Sequence, residues 1–212
     1  MTTVNIVNPS DGRMTRKPQA RTAQTRERLI AAGRDIVARV GLSGLRTDEV
    51  VALADTAKGT FFAHFADKDH LLALLLAERL AATLTDVPPP ATRGELGVAL
   101  DRIFASFATE PNTVVLLTRF SGPAGVGLGL DLVICDIIGR FAEGVAVMQH
   151  QGQITSTVDP AMLAEGLVAF LFYAAASAQC PAVGDQAAAQ QRAQALLHRM
   201  AETLLWPSSA AG

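Results

Sequence analysis

The chain is poor in cysteine and in aromatic residues other than phenylalanine. It has 212 residues, of which two are cysteine, one is tryptophan and one is tyrosine. Cys135 and Cys180 both lie in apolar, helix-forming surroundings, which predicts two buried, reduced thiols and argues against a disulfide or a metal site. This cysteine usage points to the cytoplasm.

The sequence also shows no export signal and no apolar run long enough to span a membrane. The N-terminus has no apolar signal core, and the longest uncharged apolar-rich run, near 167–178, is shorter than the roughly 20 residues that cross a bilayer. We therefore expect neither export nor membrane insertion. The hydrophobic content of 50% is ample for a buried core, and the length is typical of one to two domains.

Signals of catalysis and of metal binding are weak. The four histidines are scattered, without a HExxH or His–Cys spacing. The segment 122–130, GPAGVGLGL, has no strand before it and no Lys-Ser/Thr after it, so it predicts a corner and not a phosphate-binding loop. Ser121-Gly122 lacks the preceding glycine of a nucleophile elbow. We therefore expect that the protein is not an enzyme and that it has no catalytic residue, no metal and no cofactor.

Charge is distributed unevenly along the chain. The formal net charge is −2, from 18 basic and 20 acidic residues. Residues 1–70 hold 11 of the basic and 8 of the acidic residues, including all three lysines, Lys17, Lys58 and Lys68. A basic N-terminal part suits contact with nucleic acid, although a solvated terminus would explain the asymmetry equally well.

Hydrophobic periodicity predicts an all-α fold of about nine helices without strands. Residues 1–24 have no apolar period and are predicted to form a disordered basic arm. The first helix is predicted to begin at Thr25 and to stop at Gly41; the second covers 48–54 and is capped by Thr47. Later helices are predicted at 67–84, 95–109, 130–149, 159–179 and 185–205, with one more after Pro111.

The segment 47–68, TDEVVALADTAKGTFFAHFADK, is typical of two short helices joined by a tight turn. Phe61 and Phe65 are four residues apart in the third helix, so both must face the core. The outward face then holds Lys58, Gly59, Phe62 and Ala63, with Thr60 and His64 at its edges. A three-helix head in front of a larger apolar helical body is what a DNA-binding module on a sensor domain requires.

Residues 25–75, above all KGTFFAHFADKDHLL at 58–72, resemble the N-terminal domain of TetR-family transcriptional regulators. The resemblance implies a third helix that enters the major groove of DNA and a lysine at the start of helix four that grips phosphate. The DNA contacts implied in this way are Thr47, Lys58, Gly59, Thr60, Phe62, Ala63, His64 and Lys68. The domains expected are the arm at 1–24, a helix-turn-helix domain at 25–70 and a helical ligand-binding and dimerisation domain at 71–212.

Several positions depart from the usual pattern of that family. Asp55 stands where a turn glycine is usual, so the turn must hold a short polar residue in an unusual backbone region. Phe62 replaces a frequent tyrosine, and Asp48 lies where a basic contact residue is common. We therefore expect the second helix to add less to DNA affinity, and the operator sequence does not follow from the remaining contacts.

The C-terminal part is expected to bind a hydrophobic small molecule. Apolar side chains with a few polar ones suit such a ligand, although most of these residues would equally fill an ordinary core. The candidate lining is Phe104, Phe107, Phe120, Phe141, Met148, Phe170 and Tyr173, with Arg119, Asp136 and Ser177 as candidate polar anchors.

The resemblance implies a ligand-controlled repressor that binds a near-palindromic operator as a homodimer and is released by a hydrophobic effector. The protomers would pair through the last two helices, using Ala164, Ala175, Ala178, Ala188, Ala195, Leu197, Met200 and Leu204. An activator or co-repressor-dependent regulator of the same build remains an alternative. A helical small-molecule carrier or enzyme that has lost DNA binding, and an oligomeric scaffold without a ligand pocket, are alternatives of other classes.

Overall fold

A computed structural model describes residues 16–108, 110, 112–179 and 185–207. Within these ranges the chain forms nine α-helices and no strand, which confirms the all-α prediction. The helices are α1 Arg16–Gly44, α2 Thr47–Leu53, α3 Lys58–His64, α4 Lys68–Thr85, α5 Arg93–Ala108, α6 Thr113–Phe120, α7 Leu130–His150, α8 Pro160–Ala178 and α9 Gln186–Leu205. The first fifteen residues of the predicted arm, Pro111 and Cys180 lie outside the described residues.

Helix α1 begins earlier than the sequence pattern predicts. It starts at Arg16 and not at Thr25, so the predicted arm is wrong for residues 16–24. This stretch lacks an apolar period but includes Ala20 and Ala23 among arginine and glutamine, which favour helix without burial. The Thr25 hydroxyl donates to the Arg21 carbonyl 3.0 Å away. The helix propensity of residues 16–24 therefore extends α1 at its N-terminal end, before the point in the chain where its buried face begins.

Gly41 interrupts the end of α1, as predicted. Its φ of 75° and ψ of 172° leave the helical region, and the turn that follows buries Leu42. A β-carbon at Gly41 would lie 2.6 Å from Oε1 of Glu110, in the loop between α5 and α6. The position therefore needs glycine for its positive φ, and a β-carbon there would also displace the carboxylate of Glu110.

The head, α1 to α3, has its own small apolar core. Leu29 and Ile36 of α1, Val50 of α2 and Phe61 of α3 are each 0% exposed, and Phe65 is 2% exposed. Phe61 and Phe65 pack against each other with ring centroids 5.4 Å apart. Both phenylalanines face inward, which confirms the predicted orientation of α3.

Helix α4 joins the head to the body. It contacts α1 on one side and α5, α6 and α7 on the others. Gly33 lets α1 approach closely, because a β-carbon there would lie 3.1 Å from a methyl group of Leu75. Arg34 forms a two-pronged ion pair with Glu78 at 2.7 Å. A movement of α4 would therefore be passed to the head through α1.

Helix α8 lies at the centre of the body, in contact with α5, α6, α7 and α9. It opens as predicted, with Pro160 in the first turn and the Asp159 carboxylate accepting from the N–H of Ala161 at 2.8 Å. Among the described helices α8 alone is long and apolar enough to cross a bilayer, with a mean hydropathy of 1.6. This helix of 19 residues is longer than the uncharged run at 167–178, because it also contains the charged residue Glu165 and the residues before it. Its apolar faces pack on α7 and α9, as in a core helix.

Cys135 is exposed, which corrects the predicted pair of buried thiols. The buried stripe of α7 runs through Val133, Ile137 and Phe141, and Cys135 falls on the opposite side of the helix. The prediction was wrong because it relied on the apolar neighbours of Cys135 in the sequence, whereas burial in a helix follows a 3.6-residue period.

Several residues predicted to pack between protomers are instead used inside one chain. Ala164, Ala175, Ala178 and Leu197 are each 0% exposed, because their small or apolar side chains face the α7–α8–α9 packing. Ala188 and Ala195 are exposed, and Met200 and Leu204 are half-buried. A partner would therefore meet a different face of α8 from the one predicted.

Candidate nucleic-acid interface

The turn between α2 and α3 depends on a residue in an unusual backbone conformation. Asp55 has a φ of 49°, and among the described residues it is the one non-glycine with positive φ. Arg28 of α1 donates from Nη2 to its carbonyl oxygen at 3.0 Å. A short polar side chain tolerates this region at small cost, which confirms the expectation for Asp55.

Helix α2 starts one residue earlier than predicted, and its cap is different. The N-cap residue is Arg46, which makes no side-chain cap bond, and Thr47 is the first helical residue. The predicted capping role of Thr47 is therefore wrong, because its backbone is already helical. Asp48 and Glu49 do occupy the first turn, where the helix dipole favours negative charge.

The outward face of α3 is exposed to solvent as the sequence predicts. The ring of Phe62 is 51% exposed, in contact with the edge of buried Phe61 at 5.4 Å between centroids. A β-carbon at Gly59 would meet no atom within 4 Å, so the start of the helix is open to a close approach. Lys58, Gly59, Phe62 and Ala63 are exposed, and Thr60 and His64 are half-buried.

Lys68 is the first residue of α4, directly after the N-cap residue Asp67. Asp67 Oδ1 accepts from the backbone N–H of His70 at 3.0 Å and lies 2.8 Å from His70 Nδ1. Within the part of the chain that the structure describes, Lys68 has no ion-pair partner. Its ammonium group is therefore available to an external anion.

Arg119 of α6 holds both acidic neighbours of Lys68. Its guanidinium donates to Asp67 Oδ2 at 2.8 Å and to Asp69 Oδ2 at 2.5 Å. Burial raises the pKa of Asp67, but hydrogen bonds from His70 and Arg119 outweigh this effect and lower that pKa to about 2. Arg119 therefore ties α6 to the start of α4, and its role as a ligand anchor stays a prediction.

Lys58 has an acidic partner on the same surface. Its Nζ lies 2.7 Å from Oδ1 of Asp48, across the gap between α3 and α2. The sequence pattern placed both side chains outward but did not predict that they pair. Lys58 and Lys68, both expected to contact phosphate, thus have different surroundings.

Sequence reasoning also missed Arg46 as a candidate for DNA contact. Its side chain is exposed beside the first turn of α2, and no ion pair of it is seen within the described ranges. Its position directly before Thr47 in the sequence was the available signal. The pairing of Arg119 with Asp67 and Asp69 was not predicted either, because these partners are about fifty residues away in the chain.

The predicted ligand residues lie in three different environments. Phe104, Phe107, Phe120, Phe141 and Met148, from α5, α6 and α7, are at most 4% exposed. Phe170 lines a cavity of about 500 Å³ with Leu196, Arg199, Met200, Thr203 and Leu204. Tyr173 is 58% exposed on α8, so it does not face the interior with the others.

A second cavity of about 350 Å³ lies at the far end of the body and contains none of the predicted ligand residues. It is lined by the apolar residues Val87, Pro88, Pro90, Val98 and Ala99 and by Asp86, Gly94, Glu95 and Arg102. Asp136, a candidate anchor, is paired with Arg140 at 3.1 Å on the surface of α7.

The family described as bacterial regulatory proteins, tetR family, has a sequence model that matches residues 29–75. The N-terminal part of this chain is a tetR-family domain. The matched segment starts at Leu29 in α1 and ends at Leu75 in α4, both buried, so it spans the head core and all of α2 and α3. No curated relative matches the chain.

Solved structures with the same fold cover most of the chain, from 86 to 91% of it. A TetR-family transcriptional regulator from Pectobacterium atrosepticum is 22% identical with a TM-score of 0.60, over 91% of this chain and 98% of that one. The transcriptional regulator FadR from Bacillus subtilis, in complex with stearoyl-CoA, is 14% identical with a TM-score of 0.58, over 86% and 98%. The TetR-family repressor FadR from Thermus thermophilus, in complex with lauroyl-CoA, is 17% identical with a TM-score of 0.58, over 88% and 99%. At these identities the likeness establishes the fold alone, a small helical head followed by a larger helical body.

Proposed function

We propose that this chain is a ligand-responsive transcriptional repressor that binds a near-palindromic operator as a dimer and is released by a hydrophobic small molecule. The observation that carries the proposal is the outward face of α3 in the tetR-family domain. Phe61 and Phe65 anchor that helix in the head core, while Gly59 and Phe62 are left open to solvent. A helix held in this way fits the major groove of B-DNA.

The proposed contacts divide by chemistry. Lys68, Lys58 and Arg46 would meet phosphates, and the Thr60 hydroxyl and the N–H groups at the start of α2, around Thr47, would donate to backbone oxygens. Phe62, Ala63 and His64 would lie nearest the base edges, where apolar contact with a thymine methyl group and a histidine hydrogen bond are possible. Gly59 would allow the helix start to approach the duplex.

We propose that dimerisation uses the exposed apolar side chains of α8 and α9. Met162 is 66% and Tyr173 58% exposed on α8, and Phe170 lies beside Met200 and Leu204 along the cavity between the two helices. A second copy would cover this surface by a two-fold, self-complementary contact. The two α3 helices would then meet successive major grooves, roughly 34 to 36 Å apart.

The aromatic core of α5, α6 and α7 is the proposed effector site. Both FadR structures similar in fold hold acyl-CoA molecules. Here Phe104, Phe107 and Phe141 are at most 4% exposed, and the ring of Phe107 packs against Phe172 of α8 with centroids 5.6 Å apart. An apolar effector would therefore bind by displacing side chains in this core. Tyr173, on the outside of α8, belongs to the proposed dimer surface.

A physical link joins this core to the DNA-facing side. Phe120, 1% exposed, contacts the ring of His70 with centroids 5.0 Å apart. His70 is bonded to Asp67, and Arg119, next to Phe120, holds Asp67 and Asp69. A ligand that displaces Phe120 would therefore shift the start of α4 and Lys68 with it. By linkage, effector and DNA would weaken each other's binding.

Selection from a random-sequence duplex pool, followed by mobility shift on the selected sites, tests this function. We expect a near-palindromic site, and we expect Lys68→Gln to weaken binding and flatten the salt dependence by about one unit of log–log slope for each protomer bound. Arg102→Gln is the matched control, because it removes one positive charge at the far end of the body. Lauroyl-CoA and stearoyl-CoA serve as effector probes.

Equal effects of Lys68→Gln and Arg102→Gln would contradict the assigned DNA surface. Failure to select any site would contradict DNA binding itself. Release of the duplex by an acyl-CoA would support the apolar effector, whereas tighter binding in its presence would favour a co-repressor over an inducer. No effect on DNA affinity or on melting temperature would contradict the effector class.

A further inference from the structure

The surface formed by α2 and α3 carries an acidic side chain where the DNA backbone would lie. Asp48 is in the first turn of α2, and its Oδ1 is 2.7 Å from Nζ of Lys58, the first residue of α3. The side chains are 78% and 57% exposed, respectively, so neither is held in place by burial. Such a pair is exchangeable, because solvent competes for both charges.

We infer that Asp48 limits the affinity of this head for DNA by holding Lys58 in an ion pair. The inference rests on the proposed function and adds a residue that sets its strength. A phosphate that binds Lys58 must first displace the Asp48 carboxylate, which is then left facing the phosphates. If the pair stays closed, Lys58 neutralises no phosphate and releases no counterion. In both cases this position adds little to DNA affinity.

The acidic neighbours of Lys68 are paired differently from Asp48, the acidic neighbour of Lys58. Asp67 and Asp69 flank Lys68 in sequence, but Arg119 of the body binds both, at 2.8 and 2.5 Å. Lys68 therefore keeps its charge available although it has two acidic neighbours. At Asp48 no such second cation intervenes among the residues that the structure describes, and the carboxylate takes Lys58 itself.

Glu49, the next residue of α2, provides a matched comparison. It is also acidic and exposed in the first turn, but it pairs with Arg39 of α1 at 2.9 Å and not with Lys58. Removing the charge of Glu49 changes the net charge as much as removing that of Asp48. Only the change at Asp48 frees Lys58.

The experiment measures DNA affinity over a salt series for the full-length protein and for Asp48→Asn, Glu49→Gln, Lys58→Gln and Asp48→Asn with Lys58→Gln. Fluorescence anisotropy on a selected operator and on a scrambled duplex supplies the dissociation constants, and thermal melting confirms that each variant folds. We expect Asp48→Asn to tighten binding about two- to fivefold for each copy of the site. We also expect the salt dependence to steepen by about one unit for each lysine freed.

The double variant separates the inference from a general effect of charge. When Lys58→Gln is already present, Asp48→Asn should have little further effect on DNA affinity. In the otherwise unaltered protein, Glu49→Gln should tighten DNA binding less than Asp48→Asn does. An equal gain from Asp48→Asn with and without Lys58 would overturn the inference, because the carboxylate would then act on phosphate directly. So would equal gains from Glu49→Gln and Asp48→Asn.

Two further results would also contradict it. Weaker binding of Asp48→Asn to the operator alone would identify Asp48 as a base-reading residue. Unchanged affinity of Asp48→Asn, with the unaltered protein bound to DNA in a salt-sensitive way, would sink the inference and leave the proposed function standing. Absence of DNA binding by all five proteins would instead overturn the proposed function.

Discussion

Phe61 and Phe62 are adjacent in the chain but lie in opposite environments. Phe61 is 0% exposed in the head core, and Phe62 is 51% exposed on the proposed DNA face. We expect Phe61→Ala to lower the free energy of unfolding by about 3 to 5 kcal/mol, as for other large-to-small changes in a packed core. Phe62→Ala should change it by about 0.5 kcal/mol or less while weakening DNA binding.

Urea unfolding of the two variants beside the unaltered protein checks this pair of expectations. A stable Phe61→Ala protein with weak DNA binding, together with an unstable Phe62→Ala protein, would show that the faces of α3 are reversed.

The low pKa of Asp67 links stability to pH. Because that pKa is lowered to about 2 in the folded chain, the unfolded state binds the proton more readily. The stabilisation is therefore present above about pH 4 and is lost as pH falls from about 4 towards 2. The Asp67 side chain is 41% exposed, so solvent screening reduces the gain to about 1 kcal/mol.

Asp67→Asn is the informative change, because asparagine also caps helices but carries no charge. We expect this variant to be less stable than the unaltered protein at about pH 6, and we expect the difference to shrink towards zero as pH falls towards about 2. Chemical unfolding at several pH values measures it. A difference that stays constant over this range would show that the Asp67 charge is not the stabilising feature.

At the scale of single helices, α7 offers two glycines with opposite surroundings. A β-carbon at Gly144 would lie 2.3 Å from the carbonyl oxygen of Pro90, whereas one at Gly139 would meet nothing within 4 Å. Gly144→Ala should therefore force α7 away from the proline-rich loop and destabilise the body by about 1 to 3 kcal/mol. Gly139→Ala should stabilise it by roughly 0.5 to 1 kcal/mol, because alanine favours helix.

Thermal or urea unfolding of both variants provides the test. A stabilising Gly144→Ala would mean that the 86–92 loop does not rest on α7. The hydrogen bond that Arg140 Nη1 donates to the Val87 carbonyl oxygen at 2.7 Å holds the same loop. It should be absent if the loop does not rest on α7.

Local patterns predicted most of the elements and the faces of the head. The spacing of Phe61 and Phe65 was enough to orient α3, and Asp159-Pro160 was enough to start α8, because both signals depend on residues within one turn. The start of α1 was missed because its first turns rely on propensity and not on burial. Cys135 was misplaced because the phase of a helix, and not the apolarity of its neighbours, decides exposure.

The long-range contacts could not be predicted from one sequence. Nothing in the spacing of Arg119 indicates that it would reach Asp67 and Asp69, and nothing near Asp48 indicates that it would pair with Lys58. Ala164 and Ala175 likewise suited close packing, but only the assembled body shows that their partners belong to the same chain. The proposed contact surfaces follow from the sequence pattern, whereas the charges available on them follow from the tertiary structure.

At the scale of the whole molecule, the head and the body meet at few points. Helix α4 runs through both, Arg119 joins α6 to its start, and Glu110 lies against Gly41 at the end of α1. Changes in the proposed effector site would reach the proposed DNA surface through these contacts. In a dimer the same changes would alter the separation of the two α3 helices, which the spacing of operator half-sites must match.

The most direct measurement is binding of the purified protein to the intergenic DNA upstream of its own gene, by mobility shift over a salt series with the protein-to-duplex ratio determined. We expect a specific complex of two protomers per site whose affinity falls steeply as salt rises. A single protomer per site would contradict the proposed dimer. Binding that is equally strong on unrelated DNA, or absent from both this region and a random-sequence pool, would contradict the proposal of a sequence-specific regulator.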